Sequence, residues 1–302
     1  VIGELCEEKY FLKHYAFRLS NTGAFQQTHR EGAMKKVYIF VALLIVGLLA
    51  SAAVQALERH SLWQTAQELR SRKLVDLTHA FCPGIPHWGG FPDEKRDVLF
   101  TYEKDGFCAE RYSHIGQWGT HCDPPVHFHK GMKTIDAIPL KEMILPLAVI
   151  DVHQEVTKNP DFILTLKDLK EWERRNGTIP EGAFVAMRTD WSRRWPDASA
   201  MSNHDGKGVA HYPGWSVEVL KYLYEDRKIT ASGHETTDTD PGIITSKDSY
   251  PAESYLLSTN HYQIELLANL DQLPETGAMV ICTFPKPKNG TGFPARVFAI
   301  LP

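Results

Sequence analysis

A single α/β domain is the fold class this sequence predicts, and three stretches predict it. Leu145 to Val152 is an unbroken apolar run of strand length, the pattern of a strand covered on both faces. Thr165 to Asn176 has helical character, with Thr165 as N-cap, Asp168 three residues on and Gly177 as C-cap, and it leads to a second buried strand at Ala183–Met187. Trp215 to Asp226 is amphipathic, with Val217, Leu220 and Tyr224 recurring at helical spacing, and a further strand is expected at Ile229–Ser232. Strands alternating with helices are the mark of an α/β domain. At 302 residues, 43% of them apolar and 23% charged, the chain can bury one ordinary globular core. A formal charge of −4 and the lack of a basic run argue against a nucleic-acid partner.

The N-terminal part reads differently. Met34-Lys35-Lys36 precedes an apolar run, Val37 to Ala53, and Val54-Gln55-Ala56 places small residues at the −3 and −1 positions of a cleavage site. Residues 34–56 are therefore expected to be a signal peptide, exporting the 57–302 domain to the periplasm and leaving no stable membrane insertion. An uncleaved anchor is the alternative, since the run reaches the lower limit for spanning a bilayer. Residues 1–33 fit neither role, and Met34 is expected to be the true start. In an oxidising compartment Cys82, Cys108, Cys122 and Cys282 permit disulfides, but their spacing selects no pairing.

Along the domain, a helix is expected at Leu57–Arg72 and a first strand at Leu74–Thr78. Pro83 to Pro92 is a rigid loop carrying His87, Trp88 and Phe91 among glycines and prolines. Strands at Val98–Tyr102 and Tyr112–Gly116 lead into Gln117-Trp-Gly-Thr-His-Cys-Asp-Pro-Pro-Val-His-Phe128. If Gln117 to Asp123 is extended, Gln117, Gly119, His121 and Asp123 share one face. An amide oxygen, an imidazole and a carboxylate then surround the gap at Gly119, a donor set suited to a divalent metal. Cys122 points the other way and is expected to be a small buried side chain. Pro124 and Pro125 end the extended run, and His127 can then stand beside the site as a general base.

This segment resembles the Gly-Thr-His-x-Asp-x-Pro-x-His-Phe motif of the metal-dependent cyclase-family hydrolases, which include bacterial kynurenine formamidase and isatin hydrolase. Three other stretches are similar to elements of that family. Thr189-Asp190-Trp191-Ser192 matches a Thr-Gly-Trp-Ser element with Asp190 in place of glycine. Gly233 to Pro241 resembles an acidic Gly-x-Asp-x-x-Ser-x-Asp-Pro loop, with Glu235 at its first acid. Ile264 to Asp271 looks like Glu-x-Leu-x-Asn-Leu-Asp, and Gly292 to Ile300 like the closing strand. The resemblance runs from about Leu74 to the C-terminus. It implies an α/β fold, a swivelling β/β/α arrangement around a mixed central sheet, usually assembled as a homodimer or homotetramer.

Carried over residue by residue, the resemblance implies metal ligands at Gln117, His121, Asp123 and Glu265, with Glu253 twelve residues before Glu265 as a further one. Gln117 and Glu253 stand where the formamidases have histidine, so both departures exchange nitrogen for oxygen. His127 is the implied proton-transfer residue, and Trp88 and His87 are implied to wall a substrate pocket. His234 and Glu235 are expected behind the ligands rather than among them. The implied activity is metal-dependent hydrolysis of a C–N amide or lactam bond in a small aromatic substrate, with Mn²⁺ or Zn²⁺ as cofactor. A lactonase, a cyclase or dehydratase of the same family, and a metal-holding binding protein stay open. A pure binder has no use for a base at His127. No Gly-x-Ser-x-Gly elbow offers a serine nucleophile.

Overall fold

The computed structural model describes residues 39–48 and 61–302. Residues 39–48, inside the apolar run, are helical, whereas the Met34–Lys36 start and the 54–56 cleavage site lie outside the described residues. No helix among the described residues is long and apolar enough to cross a membrane. The chain divides into two compact units between Glu68 and Leu69, and the second carries every described strand. A helix occupies Leu62–Ser71 within the expected Leu57–Arg72, whose residues 57–60 lie outside the described residues.

Thirteen strands follow: β1 (Leu74–Asp76), β2 (Lys95–Phe100), β3 (Ala109–Ser113), β4 (His121–Asp123), β5 (Ile144–Asp151), β6 (Ile163–Leu164), β7 (Phe184–Arg188), β8 (Gly214–Trp215), β9 (Ala231–His234), β10 (Tyr262–Glu265), β11 (Ala278–Thr283), β12 (Phe293–Pro294) and β13 (Arg296–Ile300). Nine of them make one sheet in the order β1-β13-β11-β5-β7-β9-β10-β4-β12. It is mixed: β5, β7, β9 and β10 run parallel, and antiparallel strands flank them.

The helices supply the crossovers that parallel neighbours need. Leu166–Asn176 links β5 to β7, closed at its start by a capping box between Thr165 and Asp168 and at its end by Gly177, as the sequence indicates. The 215–226 segment begins as a helix at Val217–Lys221 and widens into a π-turn over Tyr222–Asp226. Its buried stripe is Val219, Leu220, Leu223 and Tyr224, with Val217 only partly covered.

Side chains of β5 alternate between two cores. Ala148 and Ile150 pack with Trp172, Leu220 and the helices; Leu147 and Val149 pack with Val75, Cys122, Tyr262 and Val297 from the sheet's own flanking strands. The sheet curls, so one face is covered by helices and the other largely by its own strands. Cys122 and Cys282 are buried and free, and Cys82 and Cys108 are exposed and free.

Two expectations need correction. β2 and β3 end earlier than predicted and pair with each other outside the large sheet, because a turn of helix at Tyr102–Asp105 interrupts the chain after Phe100. The stretch from Gln117 is not one extended run. Gly119 sits at φ +63°, in the left-handed region glycine tolerates, and a Cβ there would lie 3.0 Å from the Phe81 Cβ. The chain bends at Gly119, and strand geometry begins at His121.

Candidate metal centre

β4 and β10 lie antiparallel with His121 opposite Glu265 and Asp123 opposite Gln263. Paired residues of neighbouring strands point to the same face, so this register alone gathers four polar side chains. One nitrogen or oxygen from each of His121, Asp123 and Glu265 lies within 4.8 Å of the others. His121 Nε2 is 3.3 Å from Asp123 Oδ2 and 3.6 Å from Glu265 Oε2. His121 Nδ1 donates to the Gly119 carbonyl at 2.8 Å, which leaves Nε2 as the atom turned to the carboxylates. The bend at Gly119 thus fixes the ring. The Gln263 amide nitrogen donates to Glu265 at 2.9 Å, while Asp123 and Glu253 stand 3.4 Å from it; its oxygen accepts from Thr239 Oγ1 at 2.6 Å.

Gln117 and Glu253 reach the same cavity, and the Glu253 carboxylate is not among the three converging donors. Gln117 turns its amide nitrogen inward, donating to Asp123 Oδ1 at 3.1 Å and to the Thr291 carbonyl at 2.8 Å. Both partners accept, so this orientation holds Asp123 rather than presenting the amide oxygen. Gly292 makes room for it, since a Cβ there would come within 2.0 Å of the Gln117 nitrogen. Glu253 lies in the first turn of the helix Pro251–Ser258, whose Ala252 and Glu253 N–H groups are capped by Asp240 at 2.9 and 3.0 Å.

His127 ends a tight turn, Pro125–His127, with Nε2 4.0 Å from Asp123 Oδ1 and its ring open to the cavity. His234 is fully buried on β9, with Nε2 3.3 Å from Glu265 Oε1. Glu235, next along, faces elsewhere: it accepts from the Thr189 N–H and hydroxyl at 2.6 and 2.7 Å and from Ser192 at 2.5 Å. It ties β9 to the Thr189–Ser192 turn, where Asp190 takes the left-handed φ of 58° that a glycine would adopt.

A cavity of about 220 Å³ opens over this floor. His87, Trp88, Phe91, Phe128 and Tyr250 wall it, and Leu266 and Thr237 complete the lining with Asp238. Trp88 Nε1 donates to the Tyr250 hydroxyl at 3.1 Å, joining the 83–92 loop to the helix opposite. His87 packs on the buried Trp118 at 4.7 Å, and the Trp118 indole donates to Glu94.

The charges show what the cavity lacks. Asp123, Asp238, Glu253 and Glu265 are all buried here, and no lysine or arginine is among the described residues lining the cavity. Burial opposes ionisation of Asp123, but His121, His127 and the Gln117 amide outweigh it and hold the carboxyl well below its usual range. Burial, then the charges of Glu253, Asp123 and Asp238, push Glu265 well above the usual range despite the Thr239 hydroxyl. Glu253 is driven the same way by burial and by Asp123, Asp238 and Asp240. Burial depresses His121, yet Asp123 and the Gly119 carbonyl bring it out above its ordinary value. Buried carboxylates facing an imidazole lone pair need a positive charge between them. The donor set of one nitrogen and several oxygens fits a divalent cation.

Neither Gln263 nor Asp238 was singled out by the sequence. Gln263 lies two residues before Glu265 on the same strand, so period-two alternation from Glu265 was the available signal.

The family described as Putative cyclase matches residues 75–241. Isatin hydrolase of Roseibium aggregatum is 34% identical over 244 residues, 76% of this chain and 92% of that protein. Among solved structures, isatin hydrolase A from Labrenzia aggregata bound to benzyl benzoate is 36% identical, with a TM-score of 0.74 over 80% of this chain and 98% of that one. An isatin hydrolase bound to the product analogue thioisatinate is 32% identical, with a TM-score of 0.75 over 80% and 97%. With its motif, fold and most of its length matched, the chain belongs to the Putative cyclase family.

Proposed function

We propose that this protein is a metal-dependent hydrolase that opens a C–N amide or lactam bond in a small aromatic compound. One observation carries the reading: His121, Asp123 and Glu265 converge beneath an aromatic-walled cavity with His127 at its edge. Similarity to isatin hydrolases over most of the chain supports an amide as the bond attacked. His121, Asp123 and Glu265 are the ligands in this reading; Gln117 orients Asp123, and Glu253 is a further carboxylate within the cavity. A bound divalent cation, Mn²⁺ or Zn²⁺, supplies Lewis acidity, polarising the substrate carbonyl and acidifying water.

The protein's own groups do the rest. His127 accepts the proton of the attacking water and returns it to the leaving nitrogen as the C–N bond breaks. Its ring faces the cavity, with Nε2 4.0 Å from Asp123 Oδ1. Trp88, Phe91, Phe128 and Tyr250 offer flat apolar surface on which an aromatic ring can stack, and they exclude water from the reacting carbonyl. Export by a 34–56 signal peptide and assembly as a homodimer or homotetramer belong to the same proposal.

The test is a hydrolysis screen of the purified protein, stripped and reloaded with Mn²⁺ or Zn²⁺, against isatin, N-formyl arylamines and simple lactones. Metal-dependent turnover of isatin or a formyl arylamine is the expected result. Amide hydrolysis that survives complete chelation, or turnover of lactones alone, would overturn the reading.

A further inference from the structure

Two histidines stand beside Glu265, and their Nδ1 atoms meet partners of opposite kinds. His121 Nδ1 faces the Gly119 carbonyl oxygen at 2.8 Å. A carbonyl only accepts, so Nδ1 carries a proton and the neutral ring keeps its lone pair at Nε2, free for a cation. His234 Nδ1 faces Trp215 Nε1 at 3.3 Å. An indole nitrogen only donates, so Nδ1 must hold the lone pair and the neutral ring carries its proton at Nε2. That Nε2 is buried, makes no formed hydrogen bond, and has Glu265 Oε1 3.3 Å away.

Glu265 Oε1 also takes a second donor. The Gln263 amide nitrogen reaches it at 2.9 Å, and the Thr239 hydroxyl, whose proton goes to Gln263 Oε1 at 2.6 Å, stands 3.4 Å away. Oε2 instead faces His121 Nε2 at 3.6 Å. Trp215 is itself fixed, buried on β8 with its backbone N–H bonded to the Thr239 carbonyl at 2.9 Å.

We propose that Trp215 and His234 form a tautomer-fixed pair that holds Glu265 by Oε1, so that Glu265 offers the cation Oε2 alone. His234 is then a positioning residue and not a ligand, although its Nε2 lies 3.3 Å from a ligating carboxylate. The inference rests on the metal-hydrolase reading above. It adds a way in which a strand outside the large sheet controls the geometry of the centre. Donors that orient a ligating carboxylate are worth roughly 10–100-fold in metal affinity.

Two measurements on the full-length protein test it. The first uses ¹⁵N-labelled, metal-free wild type, with long-range ¹H–¹⁵N spectra of the imidazoles before and after Zn²⁺. His234 is expected as the Nε2–H tautomer in both states. A proton on Nδ1, or a Zn²⁺ bond at Nε2, overturns the proposal. The second is Mn²⁺ affinity by chelator competition. Trp215→Phe and His234→Leu are expected to weaken Mn²⁺ by about 10–100-fold, while His234→Gln, which keeps an N–H donor, retains most of the affinity. Unchanged affinity in both Trp215→Phe and His234→Leu sinks the pair, and equal loss in His234→Gln and His234→Leu reduces His234 to packing. If these variants fail to fold, the wild-type spectrum still decides the tautomer. Wild type that binds neither metal would instead remove the metal reading, a separate failure.

Discussion

His127 and Gln117 both approach Asp123 Oδ1, at 4.0 and 3.1 Å, and each makes a different demand on it. His127 touches the cavity and lies outside the converging donors, so its removal should spare the metal. His127→Ala is expected to keep its bound cation by elemental analysis and to lose about 10²–10⁴-fold in turnover, the usual worth of a general base. Cation lost in step with activity would make His127 a ligand. Gln117 donates to Asp123 instead of presenting oxygen, which leaves an oxygen-rich donor set of His121, Asp123 and Glu265 with Glu253 nearby. Such a set suits manganese better than zinc, although zinc binds most sites more tightly. Activity of the stripped enzyme reloaded with each ion is therefore the informative measurement. Wild type should work best with Mn²⁺, and Gln117→His, adding a nitrogen, should move the preference toward Zn²⁺. A wild type most active with zinc and indifferent to the substitution would take Gln117 out of the chemistry.

At the scale of elements, the helix Leu166–Asn176 was legible down to its caps because its signals are local: Thr165, Asp168 and Gly177 each act within one turn. Thr165→Ala should cost about 0.5–2 kcal/mol in a urea titration and leave metal binding untouched. A cost near zero would mean the capping box is redundant with packing. The central strands were legible for the same reason, since the apolar run Leu145–Val152 declares a strand, and β5 is buried on both faces from Leu147 to Ile150. The site was legible only where it is contiguous. His121, Asp123 and His127 lie within seven residues, and that spacing carries chemistry by itself. Gln263 could be reached locally only by stepping two residues back from Glu265; that it faces Asp123 follows from the β4–β10 register, a pairing between segments about 140 residues apart. The bend at Gly119 misled for a related reason. Alternation assumes a continuous strand, and a left-handed glycine resets which side chains share a face.

Across the whole molecule, buried titratable groups make stability depend on pH and on the cation in separable ways. His79 stacks flat on Trp195 at 4.3 Å, and burial lowers it from an ordinary value of 6.5 to about 4. The unfolded chain takes up this proton first as pH falls, so His79 contributes stability above pH 6.5 that is lost on acidification toward about pH 4. The loss should be about 1–2 kcal/mol after allowance for solvent at the ring's exposed edge. His79→Phe, unfolded by urea in chelator at pH 7 and pH 4.5, should show a smaller drop between the two than wild type. An equal drop would clear His79 of any part in acid sensitivity. The metal centre predicts a larger effect. Asp123, Asp238, Glu253 and Glu265 lie buried together; burial and then the charges of Asp123, Asp238 and Asp240 push Glu253 well above its usual range, and burial and then the charges of Glu253, Asp123 and Asp238 do the same to Glu265. A cation that binds only the folded state relieves this, adding about 2.7 kcal/mol at a hundred times its Kd. For a domain of this size that corresponds to a rise of about 5–10 °C in Tm. Glu253→Gln removes the cost of burying one ionisable acid while leaving His121, Asp123 and Glu265 in place. The metal-free protein should then melt higher than metal-free wild type, and the gap between metal-loaded and stripped protein should shrink. A wild-type Tm that does not move between saturating Mn²⁺ and chelator would mean that no cation relieves the burial of these acids. The charge argument for a cation at this site would then fail, whatever the family resemblance suggests.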